Sequence, residues 1–200
     1  PELPNFIEFL LDSVSHTLSL VNKYNYDGIS IAYKGKSILH MTEIEKQTHK
    51  TYEKAFIGIA EDWQIRNKDK MIVYEGYPQN LLNKNILESC EHIILPLTQA
   101  DSKLALDYEL ISAKVENTPL DRYVIAVSTT SLDLADQKTG YWIDGSRALQ
   151  GTAEWVLAPH SEVEVAGIAI KNVSNDYFNS DKIYKHTRNA INTINPSPKK

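Results

Sequence analysis

The residues best able to do chemistry stand in the segment YDGISIAYKGK, residues 26–36. An acid, Asp27, opens an apolar, β-branched run, and Ser30, Ala32 and Lys34 follow at the two-residue spacing of one strand face. Acids at the end of such a strand would do general acid work, which supplies roughly 10²- to 10⁴-fold when the donor titrates near the working pH. Here the alternate positions offer a hydroxyl, a methyl and an ammonium. A lysine ammonium ordinarily titrates at about 10, so Lys34 is a poor acid at neutral pH and would repel positive charge developing on a substrate. The plainer reading makes Ile29 and Ile31 core residues and Lys34 a solvated loop charge.

Other polar and aromatic side chains fall where predicted strands end: Tyr33 beside Lys34, then Glu75 and Tyr77, Gln99 and Asp101, Ser128 and Thr129, and Lys171 with Asn172. Such groups hydrogen-bond hydroxyls, while an aromatic ring packs on the apolar face of a sugar. Singly, each reads as structural or merely exposed; their shared end of the sheet is what joins them. Trp142, beside Tyr141 in a polar loop, is balanced between a structural role and a sugar platform or lid. Trp63 and Trp155 read as core packing.

The six histidines, His16, His40, His49, His92, His160 and His186, show neither HExxH nor paired ligand spacing, so neither a metal nor a cofactor is expected. No GxSxG elbow is present. The single cysteine, Cys90, excludes an intrachain disulfide and reads as a small buried apolar residue.

These side chains need elements to hold them. Apolar residues Phe6, Phe9, Leu10, Val14, Leu18 and Val21 recur at helical spacing over residues 5–23. A strand is predicted over 28–33, and a second helix over 48–67 with Phe56, Ile59 and Trp63 on one side. The cycle then repeats: strand MIVYE, helix over 80–90, strand HIILPLTQ, helix over 102–116, strand RYVIAVSTTS, a weaker helix over 148–157, strand VAGIAIKNV and a last helix over 180–194. Short continuous apolar strands alternating with helices predict a parallel sheet covered by helices. A doubly wound open sheet and the larger part of a (β/α)8 barrel both satisfy this pattern, but no Gly-rich phosphate loop follows any strand.

The chain has 200 residues, a net charge of -5 and 21 scattered basic side chains, which argues against a nucleic-acid surface. No apolar run approaches the roughly 20 residues of a membrane-spanning helix. Pro1 is not an initiator, so processing or trimming upstream is expected.

YDGISIAYK resembles the fourth barrel strand of glycoside hydrolase family 18, the chitinases and endo-β-N-acetylglucosaminidases, whose pattern is DGxDxDxE. On that pattern Asp27 and Gly28 match, Ser30 and Ala32 stand for the second and third Asp, and Lys34 stands for the catalytic Glu. The order of elements and the segments EHIILPLTQA, YWIDGSRALQGTAEWVLAP and VAGIAIKNVSNDYFNSDKIYKHTRNAINTINP also resemble the endoglycosidase-like branch found among gut Bacteroidetes surface lipoproteins.

The resemblance implies a (β/α)8 TIM barrel of which this chain covers the third helix to the eighth, as one domain over 1–195 with a polar tail at 196–200 and the first strands absent. In the family's mechanism the Glu protonates the leaving oxygen and the adjacent Asp orients the substrate's own acetamido group. With Ala32 and Lys34 in those places, that mechanism is lost. The expectation is a non-catalytic protein that binds N-acetylglucosamine-containing glycans through Tyr33, Lys34, Glu75, Tyr77, Gln99, Asp101, Ser128, Trp142, Lys171 and Asn172. The implied setting is the bacterial surface or periplasm, lipid-anchored outside this chain, with outer-membrane glycan-uptake proteins as partners. Two alternatives stand beside it: a glycoside hydrolase with a relocated acid, Glu75 or Asp101, and a scaffold subunit of a glycan-uptake complex.

Overall fold

The computed structural model describes residues 3–32, 37–96, 103–115, 118–129, 145–157 and 165–196. Five strands, β1 (Gly28–Ala32), β2 (Met71–Glu75), β3 (His92–Leu95), β4 (Tyr123–Ser128) and β5 (Gly167–Lys171), are neighbours in chain order. The helices are α1 (Leu3–Tyr24), α2 (Glu43–Arg66), α3 (Lys103–Ala113), α4 (Gly145–Leu157), α5 (Val173–Asn179) and α6 (Lys185–Ile194). β1 with β2 and β4 with β5 pair in parallel. A doubly wound sheet reverses its strand order at a switch point, whereas this order never reverses. The sequential winding is that of part of a β/α barrel, which decides between the two architectures left open by the sequence.

The chain divides into two compact units, Pro1–Ile93 with Val115–Thr118, and Ile94–Lys114 with Pro119–Lys200. In the first, α2 starts five residues before the predicted position 48, because Thr42 and Glu45 form a capping box. The Glu45 amide donates to Thr42 Oγ1 at 3.2 Å and the Thr42 amide to Glu45 Oε2 at 2.7 Å. Two otherwise orphaned donors are thereby satisfied, which fixes the helix start. Trp63 and Ala60 of α2 are buried, as are Ile72 and Tyr74, the alternate residues of β2.

The predicted helix over residues 80–90 does not form; two 3₁₀ segments, Pro78–Asn80 and Lys84–Ser89, take its place. The reason lies in α2. The buried Glu53 carboxylate accepts from the amides of Leu82 at 2.9 Å and Asn83 at 2.5 Å, and the Asn83 side chain accepts from Asn85. The Leu82 and Asn83 amides are thus held from outside the segment, and the Asn85 amide, which a helix over 80–90 would bond to the Leu81 carbonyl, goes to the Asn83 side chain instead. The apolar spacing still does its work, since Leu81, Ile86, Leu87 and Cys90 are buried.

In the second unit, Val127 of β4 packs with Leu149 and Ala153 of α4 and Ala190 of α6, flanked by Ile168, Ile170 and Ile194. Small residues at 153 and 190 let the two helices approach closely. Trp155 is buried and donates Nε1–H to Asp107 Oδ1 of α3 at 2.8 Å, tying α4 to α3. Of the predicted last helix, 180–194, only α6 forms, five residues later than expected; Asp181, Lys182 and Tyr184, in the left-handed region at φ 52°, 63° and 51°, part it from α5, a helix the sequence reading did not contain. The first turn of α6 is satisfied from α5: Asp176 accepts from the amides of Thr187 at 2.7 Å and His186 at 3.3 Å, and Ser180 Oγ from Lys185 at 3.0 Å. A continuous helix would have no place for this cross-helix cap.

Candidate functional site

Register assigns the candidate residues of the first unit to faces. Ser30 is the Cα partner of Val73 and Ala32 of Glu75, while Ile29 and Ile31 partner Ile72 and Tyr74. Ile72 and Tyr74 are buried, so Ile29 and Ile31 share the packed face. Ser30 and Ala32 are exposed and lie on the opposite face with Val73 and Glu75.

Ala32 and Glu75 thus meet side by side at the C-terminal end of the β1–β2 pair. Asp27 precedes β1, so five strand residues part it from that end, about 16 Å at the usual rise. Gly28 answers a packing demand at the same early position. A Cβ there would come within 2.8 Å of the Met71 backbone N and C and closer still to its O.

Beyond β2, Gly76 is buried and Tyr77 half-buried, and the Tyr77 carbonyl accepts from the Asn80 amide at 2.9 Å. The segment that follows is held by Glu53, itself 2.9 Å from His49 Nε2 within α2. Tyr77 therefore stands on a base fixed by a buried acid. A charge at residue 53, in helical register with Ala60 and Trp63, is the sequence signal that would have marked it.

At the matching end of the second unit, Ser128 is the Cα partner of Lys171. Val127 and Ile170, one position earlier, belong to the helix-covered core, so strand parity puts Lys171 on the other face. Thr129 is buried and staples the two strand ends: its amide donates to Lys171 O at 3.0 Å, and its hydroxyl to Lys171 O at 3.2 Å and to Asn172 O. Asn172 sits in the left-handed region at φ 57° and precedes α5. Asn tolerates that conformation better than most residues. Lys171 and Asn172 are thus displayed from a pinned backbone.

Asp176 is fully buried. Burial pushes its carboxyl up, but the Thr187 amide and hydroxyl, the His186 amide and the Ser180 hydroxyl outweigh it and hold the group below its ordinary value. With that carboxylate in place, the α6 N-terminus is already satisfied and is no anion site.

The structure therefore brings Ala32 to Glu75 and Ser128 to Lys171 and Asn172. Tyr33, Lys34, Gln99, Asp101 and Trp142 lie outside the described residues. Among the described residues, no group of three His, Cys, Asp or Glu side chains could hold a metal ion. Glu75 and Tyr77 at and after the end of β2, and Lys171 and Asn172 at and after the end of β5, are donors and acceptors of the kind that hydrogen-bond hydroxyls.

A sequentially wound parallel β/α chain with polar residues at its strand ends belongs to the barrel class of β/α proteins. The family model described as glycoside hydrolase family 18, BT1044-like, matches residues 2–193, and the chain belongs to that family. A solved structure of a selenomethionine-labelled glutamate-to-glutamine variant of BT1044 is similar in fold, with a TM-score of 0.62 at 18% sequence identity. The likeness covers 96% of this chain and 61% of that one, so this chain spans about three-fifths of that protein's length. No curated protein matches the chain.

Proposed function

We propose that this family 18 member binds N-acetylglucosamine-containing glycans without cleaving them, at the C-terminal ends of strands that form part of a (β/α)8 barrel. The reading rests on Ala32. It ends β1 on the face shared with Glu75, where family chemistry would use an acid, and the next residue of that parity is Lys34. A methyl group cannot orient an acetamide, and a lysine ammonium cannot protonate a leaving oxygen near neutral pH. Tyr33, Lys34, Glu75, Tyr77, Gln99, Asp101, Ser128, Trp142, Lys171 and Asn172 are the proposed contacts. The setting we propose is the bacterial surface or periplasm, lipid-anchored outside this chain and alongside outer-membrane glycan-uptake proteins.

One observation favours a second reading. Glu75 is half-buried at the end of β2, in register with Ala32, which is where a relocated acid would stand. Calorimetry and product analysis with chitobiose-core oligosaccharides separate the two. Binding without released sugar is the expected result. Product formation that Glu75→Gln abolishes would replace the binding reading with the catalytic one.

A further inference from the structure

We infer that the corner between α5 and α6 carries a second carbohydrate contact, in which Phe178 and Tyr184 pack against the apolar face of a sugar ring. Its ligand class rests on the glycan-binding reading above, but its residues are ones the strand-end contacts do not use.

Tyr177 joins the cluster, packing edge-on to Phe178 at 5.4 Å and tilted against Tyr184 at 5.0 Å. Phe178 is nevertheless 74% exposed, Ile183 53% and Tyr184 38%. Phe178 and Tyr184 are thus joined through Tyr177 while both still face solvent, which groups them as a lone exposed ring is not.

The corner is also held in shape. The Lys182 amide donates to Tyr177 O at 2.9 Å and the Ile183 amide to Ser180 O at 3.1 Å, while Asp176 and Ser180 beneath are buried. Tyr184 is kept at φ 51°, a backbone state rare for a bulky side chain. A surface fixed in advance gives up little conformational freedom when a ligand arrives.

Size selects the occupant. Aromatic side chains present 150–250 Å² each, so the exposed fractions amount to a patch of roughly 300 Å². A stable protein interface takes about 800 Å² per partner. The patch is too small for that and suits a pyranose ring. Asp181, Lys182 and Lys185, close to these rings in sequence, are exposed as well and carry acceptors and donors for hydroxyls. α5 begins directly after Asn172 and has seven residues, about 10 Å of helix, so one oligosaccharide could reach both Asn172 and this corner.

The test is calorimetry on Phe178→Ala and Tyr184→Leu with the dimer and the tetramer of N-acetylglucosamine, with sedimentation velocity in parallel. Tetramer affinity should fall roughly five- to tenfold in each variant, the loss expected for one ring contact, while dimer affinity stays as in the parent and circular dichroism shows each variant folded at the assay temperature. Tetramer affinity unchanged in both variants would overturn this inference and leave the glycan-binding reading standing. A parent dimer that Phe178→Ala dissolves would overturn it in favour of a second copy of the chain as the occupant. Failure of the parent protein to bind either sugar would remove both readings.

Discussion

Asp176→Asn tests whether a single buried carboxylate holds the end of the second unit together. Asp176 accepts the Thr187 amide at 2.7 Å and the His186 amide at 3.3 Å. Asparagine keeps one acceptor oxygen but turns an NH₂ toward the other amide, so one bond becomes a donor–donor contact and the remaining one loses its charge. Hydrogen bonds to charged groups contribute about 1.5–3 kcal/mol and N-terminal caps about 1 kcal/mol, so the variant should lose about 2–3 kcal/mol. For a chain of this length that corresponds to roughly 5–10 °C in Tm. The loss reaches the core because α6 carries Ala190, which packs with Val127, Leu149 and Ala153. The sign with pH is fixed by the lowered carboxyl. The ionised group stabilises fully above its unfolded value, ordinarily 3.8, and that contribution is lost as pH falls through the still lower folded value. The parent should therefore weaken over that window while the non-titrating variant does not, and the gap between them should close. Thermal melts followed by circular dichroism at neutral pH and at stepwise lower pH read both quantities. A gap below about 0.5 kcal/mol at neutral pH, or one equally wide well below pH 3.8, would refute the capping argument.

Glu53→Gln should cost about 2–3 kcal/mol, because two amides and a histidine at 2.9 Å lose a buried charge, and hydrogen exchange at Leu82 and Asn83 should quicken well before global unfolding. Exchange at those amides no faster than in the parent would remove Glu53 as the anchor of the segment after Tyr77. Gly28→Ala forces a methyl into the Met71 backbone and should cost about 1–3 kcal/mol, measured by urea denaturation; a neutral substitution would mean that β1 and β2 do not approach as closely as the register states.

The five strands were legible because each is a short apolar run set between helical stretches, and that contrast survives in single residues: Ile72 and Tyr74 inward, Val73 and Glu75 outward. The start of α2 was also in the sequence, written as Thr42 and Glu45 three residues apart, although the apolar spacing alone points to a later start. Two segments were not legible, for a shared reason. Residues 80–90 carry helical spacing, but Glu53, some thirty positions earlier, holds the Leu82 and Asn83 amides and the Asn83 side chain takes that of Asn85. Residues 180–184 likewise break because Asp176 and Ser180 cap the next helix across space. Periodicity reports which side chains will be buried, but not which carboxylate will claim a backbone donor. At the site, the two-residue parity of Ser30 and Ala32 was readable in advance, whereas the stapling role of Thr129 depends on where β5 ends.

Cleavage and recognition place different demands on a strand end. Ser30 and Ala32 face away from the packed side of β1, so an acid or a methyl there leaves the burial of Ile72 and Tyr74 untouched. Gly28 has no such freedom, because its missing Cβ is what lets the neighbouring backbone approach. Position 28 is therefore fixed by the approach of the Met71 backbone, a demand that does not depend on which groups stand at 30 and 32. What recognition needs is different: groups held still. The Thr129 hydroxyl across Lys171 and Asn172, and the Glu53 carboxylate beyond Tyr77, supply that through buried hydrogen bonds. On the proposed reading, the positions that would cut carry a hydroxyl, a methyl and an ammonium, while the groups that hold a ligand's contacts in place also tie the strand ends together.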